Sequence, residues 1–334
     1  TFNVDAAQTQ ITSIGTIGTG VWQGTAIAQS YIADQAINEA KLQVSNSPTN
    51  GYVLTAQSGN TGGLTWAAAA SGGASAIGDL DDVTMDATNF VNSFLLQTNS
   101  DGSAPTTGTL SSASDNIGIG EDVFKVLTSG GRNIAYGNLV LDELTTGWDN
   151  VGIGHEALES VTTGGRNIGI GVEAMATVDT MSNNIGIGHQ AGALIDNGAG
   201  NVAIGGSAFD AANNTSYNVV IGYMSGSAIS GGFGRNVGIG QSTLKATTSG
   251  GRLVAIGDEA LEANTTADAN IGIGYNAGKS ITTGTRNIAL GYAAADGFDA
   301  ESDNIAIGYD ALGGAVAGGE KNLAIGNYAG DEIT

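Results

Sequence analysis

One spacing constrains this chain more than anything else in it. The pattern Asn-(Ile/Val)-(Gly/Ala)-Ile-Gly returns every 17 residues. With the Asn as position one, units begin at residues 116, 133, 150, 167, 184, 201, 218, 236, 253, 270, 287, 304 and 322, and only two of the steps are 18 residues long. The fifth position is always Gly, from Gly120 to Gly326, and the first is Asn except at Leu253. The second is Ile, Val or Leu, and the fourth is Ile except at Tyr136 and Leu290. A unit this short cannot bury an apolar face by itself, but thirteen stacked units bury a continuous one. The repeat therefore predicts an all-β fold, a parallel β-solenoid or β-roll of 13 rungs with a 17-residue period over residues 116–334. Twelve steps of roughly 4.8 Å give a stack of about 58 Å.

Each position carries an expectation. Positions two and four alternate along a strand, so they share a face, and their Ile and Val side chains are expected to build the core. Position three is Gly, Ala or, once, Val220, and is expected to point the other way, toward a close neighbour. The corner column Gly120, Gly137, Gly154, Gly171 and Gly188 marks a backbone conformation that a side chain forbids. The first column, Asn116, Asn133, Asn150, Asn167 and Asn184, reads as an amide ladder serving the corner backbone. Just before it, Asp115, Arg132, Asp149 and Arg166 alternate in sign and suggest an inter-rung charge ladder that fixes register. Such exposed pairs contribute about 0 to 1 kcal/mol each. Apolar pairs such as Ala157-Leu158 and Ala174-Met175 follow the corner, and Thr162-Thr163-Gly164-Gly165 supplies turn chemistry to close the unit.

The repeat also decides how the motifs are read. Gly-x-Gly-x-x-Ala occurs at residues 152, 169, 186 and 272, always at the same place in the unit. A dinucleotide-binding turn needs a long helix after it, and a 17-residue period leaves no room for one. His155 and His189 stand two rungs apart, about 10 Å, too far to share a metal. In Gly231-Gly232-Phe233-Gly234-Arg235 an Arg occupies the place where a calcium-binding repeat needs Asp, and Asp79, Asp81 and Asp82 read as a solvated turn. Asp179, Asp196 and Asn213 interrupt the Thr pairs that would form an ice-binding face. No catalytic set, cofactor or metal site is marked by spacing, and a structural rather than enzymatic role is expected. Trp148, Tyr217 and Phe233 sit in turns that do not need aromatics to fold, which makes them candidates for receptor or glycan contact, with packing between subunits as the alternative.

With 32 acidic residues against 10 basic ones, a formal net charge of −22, nucleic acid and anionic membranes are poor partners. No stretch approaches the apolar length of a membrane span. Cysteine is absent, so disulfides and thiolate metal sites play no part. The chain opens on Thr1, which suggests processing or a fragment, and it stops in an incomplete unit at Thr334. A bare solenoid end exposes a strand edge, so a removed following domain or a covering protein is expected there.

Residues 1–115 lack the period. Residues 11–27 read as short strands, residues 31–42 as a short helix, residues 51–66 as a hairpin around Ser58-Gly59-Asn60, and residues 99–102 as a turn. Residues 71–75 are linker-like, and residues 71–115 as a whole read as a linker with a small β module.

The repeat resembles the head repeats of trimeric autotransporter adhesins, which form a left-handed parallel β-roll. It is closer still to bacteriophage tail-fibre arrays, as in Thr282-Thr283-Gly284-Thr285-Arg286-Asn287 leading into Ile288-Ala289-Leu290-Gly291. The unit is longer than the adhesin repeat, and no coiled-coil stalk or anchor is evident, which favours the phage family. The resemblance implies a homotrimer with position three packed toward the threefold axis or the adjacent subunit, and a shaft that meets a host-surface receptor. It also implies that residues 1–70, where Gly20-Val21-Trp22-Gln23-Gly24-Thr25 resembles fibre segments, attach to other tail or virion proteins. A bacterial surface adhesin or filament and, more remotely, a polysaccharide depolymerase are the alternatives.

Overall fold

The computed structural model describes residues 52–56, 64–68, 83–84, 89–97 and 107–331, apart from 178, 212–213 and 315–317. The expectations for residues 11–27, 31–42, 71–75, 79–82 and 99–102 lie outside the described residues. The chain divides into two compact units, Thr1–Gly73 and Ala74–Thr334. In the first, β1 (Tyr52–Ala56) and β2 (Leu64–Ala68) pair antiparallel as a hairpin.

The second unit is the solenoid. Its short leading strands are β3 (Val83–Thr84), β4 (Phe90–Val91), β5 (Phe94–Leu96) and β6 (Ala113–Ser114). Thirteen three-residue strands follow, β7 (Ile117–Ile119) through β19 (Leu323–Ile325), one per repeat. They stack in sequence order as a parallel sheet in strict register, Ile168 opposite Val151 on one side and Ile185 on the other. The parallel stack begins one rung before the repeat does, and β3 adds an antiparallel edge strand beside β5. β5 pairs parallel with β7, and Ser93 Oγ accepts from the backbone N–H of Asn116 at 2.8 Å. Among the described residues there is no helix. The parallel β-solenoid with a 17-residue period is therefore the fold of this chain.

Each coil is bent by left-handed backbone. In the rung at 167, Arg166, Glu173 and Met175 have φ of 59°, 55° and 54°, and Gly171 has 132°. Non-glycine residues pay for such φ values in steric energy. Here the neighbouring rungs offset that cost. Arg166 N–H donates to Trp148 O at 2.8 Å, Glu173 N–H to His155 O at 2.8 Å, and Met175 N–H to Ala191 O at 3.1 Å. The bends are thus held by the stack rather than by local turn propensity. The corner column Gly120, Gly137, Gly154, Gly171 and Gly188 has φ between 128° and 138°, which only Gly adopts readily. At Gly188 a Cβ would also stand 2.6 Å from Gly205 O in the next rung.

The Asn side chains from Asn116 to Asn304 are fully buried, Asn322 in the last rung partly so, and they make two kinds of bond. The Oδ1 atom accepts from the next rung's backbone: Asn133 N–H to Asn116 at 3.0 Å, Asn150 to Asn133 at 2.9 Å, Asn167 to Asn150 at 3.0 Å, and Asn184 to Asn167 at 3.1 Å. The Nδ2 group donates to a carbonyl at the closing turn, as from Asn116 to Gly130 O and from Asn150 to Gly164 O, both at 2.9 Å. The ladder is interrupted at Leu253. In that rung the core column Leu127, Leu144, Val161, Ile195, Ile229, Thr247, Asn264, Ile281 and Phe298 carries an Asn instead, and Asn264 is buried with neither amide atom hydrogen-bonded.

The two faces of the strands are the reverse of the sequence expectation. Position three points inward: Ala135, Ala203, Val220, Ala255, Ala289 and Ala306 are all buried. Positions two and four point outward, with Ile117 46% and Ile134 41% exposed. Position three is therefore sealed inside the coil and cannot pack against a threefold axis or an adjacent subunit. The cause is the narrowness of the coil. A Cβ on Gly186 would meet Met175 Cγ at 2.5 Å, and one on Gly169 would meet Leu158 Cγ at 2.8 Å. Large residues after one corner thus fill the space beneath small residues on the next strand. Where that upstream residue is Gly192 or Gly278, the strand residue grows to Ala203 or Ala289.

Candidate functional site

The outer face of the sheet is a continuous apolar strip along the described repeats. Each of the thirteen strands presents two large side chains there, all aliphatic except Tyr136, and none of the chain's 32 acidic residues lies among them. The strip is roughly 58 Å by 7 Å, about 400 Å², within the range of the largest apolar patch on a typical monomer. Its register is that of the sheet, so the side chains form two continuous columns at the rung spacing.

Beside the strands lie the turns with the charge and aromatic residues. Arg132 binds Asp149 through two bonds, Nε to Oδ1 at 2.5 Å and NH2 to Oδ2 at 2.8 Å. Arg286 and Asp303 repeat the arrangement at 2.6 and 2.9 Å. The Arg132 guanidinium holds the Asp149 carboxyl below its usual range, and Arg286 does the same for Asp303. Asp115 accepts from Asn92 Nδ2 at 3.2 Å, and Arg166 donates to Asn183 Oδ1 at 2.7 Å. Direct ion pairs along this column thus form within the Arg-to-Asp steps, from Arg132 to Asp149 and from Arg286 to Asp303. Between them, Asp115 acts on Arg132, and Arg166 on Asp149, only through the field.

The aromatic turn residues have partners within the chain. Trp148 is 37% exposed, its ring fills the space a Cβ on Gly131 would need, and the Arg132 guanidinium carbon lies 4.8 Å from the ring centroid. Tyr217, 62% exposed, covers Gly200 and sits 5.6 Å from Arg235. Phe233, 65% exposed, approaches Gly251 and sits 5.1 Å from Arg252. Each is a flat, accessible surface braced by a cation.

A feature missed in the sequence lies just after the corner. Tyr275, Tyr292 and Tyr309 occupy position six of three successive rungs and stack, with centroids 5.1 and 5.0 Å apart and interplanar angles of 19° and 7°. Tyr328 ends the column edge-on, 5.3 Å away at 64°. Reading down the sixth column, rather than along each unit, would have shown it.

Acids recur in the segment that follows the corner Gly, as at Glu121, Asp142, Glu159, Glu173 and Asp296. Burial, with Glu159 and Glu143 nearby, pushes Asp142 up to about 6. Burial beside Asp310 does the same for Asp296, also to about 6. Among the described residues no group of three His, Asp or Glu is arranged to hold a metal, and His155 lies 3.6 Å from Glu156 alone. An open cleft of about 250 Å³ lies beside Glu173, Thr177, Gln190, Leu194 and Asp210, without a convergent set of reactive groups. Compared with models of known protein families, with curated proteins and with solved structures, the chain matches none.

Proposed function

We propose that this chain is a structural tail-fibre protein of a bacteriophage, in which three copies pack their solenoids into a shaft for attachment to the host surface. The observation that carries the reading is the outward Ile/Val face. It is long, continuous and uncharged, and a second copy of the same chain presents the same columns at the same spacing. Copies related by a threefold axis would each cover that face, which corrects the packing face that the resemblance implied while keeping its assembly. The turns beside it, with Trp148, Tyr217 and Phe233 braced over glycines, are the surface offered to a glycan or protein receptor. Residues 1–70 are assigned to the virion junction, and the mature location is the extracellular fibre. No catalytic step is assigned to the chain.

Light scattering on the purified chain tests the assembly: a mass three times that of the protomer is expected, and a folded monomer at micromolar concentration overturns it. Antibodies raised against the solenoid test the role. They are expected to decorate tail fibres on particles and to slow adsorption to the host. Labelling of a bacterial surface without particles would transfer the reading to an adhesin.

A further inference from the structure

The tyrosine column has no explanation in the packing of the fold. Its members are 43% to 58% exposed, and other rungs carry His155, Val172, Gly206 or Asp258 at the same position, so the coil closes without an aromatic there. Yet the parallel pairing of Ile271, Ile288 and Ile305 locks Tyr275, Tyr292 and Tyr309 one rung apart, with rings stacked and ring edges open to solvent.

We propose that this column is a site of oxidative tyrosine coupling, in which a peroxide-consuming one-electron oxidant joins rings of successive rungs by a carbon–carbon bond. Each phenol gives up one electron and one proton and becomes a phenoxyl radical. The two radicals form a bond between ring carbons ortho to their oxygens, and tautomeric shifts return the ring hydrogens to those oxygens. The pair has lost two hydrogen atoms, and one hydrogen peroxide takes them up and becomes two waters. Near-parallel stacking holds neighbouring rings with centroids 5.1 and 5.0 Å apart, so Tyr275–Tyr292 and Tyr292–Tyr309 are the coupling pairs. The edge-on Tyr328 is the poorer partner. With no cysteine in the chain, a thiol neither quenches the radicals nor provides a competing cross-link. The product closes a covalent loop between coils whose stacking is otherwise noncovalent, which limits unravelling from this end. Among the described residues Tyr136, Tyr217 and Tyr223 stack on no other tyrosine, and they serve as internal controls.

The test treats the whole chain with a haem peroxidase and hydrogen peroxide, then reads dityrosine fluorescence and the masses of proteolytic peptides. Links between Tyr275 and Tyr292 and between Tyr292 and Tyr309 are expected to dominate, at a yield independent of protein concentration. Tyr292→Phe should lose most of the fluorescence while keeping the wild-type circular dichroism, and Tyr223→Phe should lose none. Oxidised wild type should melt higher than untreated protein, and oxidised Tyr292→Phe should show no gain. The proposal is overturned if tyrosines outside the column couple as readily, if coupling is chiefly between chains, or if Tyr292→Phe couples undiminished.

Discussion

At Gly188 two demands fall on one residue: a φ of 133° and a carbonyl of the next rung where a Cβ would be. Gly188→Ala is expected to cost about 3 kcal/mol or more, from backbone strain and overpacking together, read as a lower urea midpoint. The Asn ladder has the opposite kind of test. Leu253 offers no carboxamide to Asn270, while Asn264 buries one without partners. Exchanging them, Leu253→Asn with Asn264→Leu, should stabilise the chain by about 1–3 kcal/mol, the cost of a buried unsatisfied polar group. Asp142 gives a pH dependence. Its folded value near 6 lies above its ordinary value of 3.8, so the fold binds more protons than the unfolded chain between those limits. That contribution is complete below about pH 4 and is lost as pH rises through 6, and Asp296 acts in the same sense. Asp149 and Asp303, held low by their arginines, act oppositely, so their contribution is lost only as pH falls below the ordinary Asp range. Melting is therefore expected to be higher near pH 4.5 than at pH 7.5, and Asp142→Asn should flatten the difference.

The strand is the element where sequence and structure part. Alternation in Asn-Ile-Gly-Ile-Gly divides the residues into two faces, but alternation is symmetrical and does not say which face is inside. The volume of the coil decides, and in several rungs that volume is limited by residues eleven positions upstream, such as Met175 beneath Gly186 and Leu158 beneath Gly169. The exchange is testable. Gly186→Val should destabilise by about 1–3 kcal/mol through overpacking, and adding Met175→Ala should recover part of the loss. The ladder Asn and the corner Gly were legible because each owes its identity to a neighbour of the same kind, one period away. The left-handed residues Arg166, Glu173 and Met175 were not, since nothing in those side chains favours positive φ and only bonds from adjacent rungs hold them there. The tyrosine stack was hidden for a related reason: its members are ordinary one at a time and become a feature only when the rungs align.

For the whole molecule, the outward apolar columns make assembly the property most open to mutation. Ile170→Glu combined with Ile187→Glu places two charges on adjacent rungs of the face without touching the coil interior. Under the trimer reading, that variant should remain β-rich by circular dichroism and run as a monomer in light scattering. The strict register of the sheet has a further consequence. Each rung meets only the rung before and the rung after, and in the same way at nearly every step. Excising residues 167–183 would bring Asn184 onto the Asn150 rung with the same bonds and pairs available. The solenoid is in that sense a ruler graduated at about 4.8 Å, and its length can be rewritten in whole units, one repeat at a time, with the strand pairing and the Asn ladder kept.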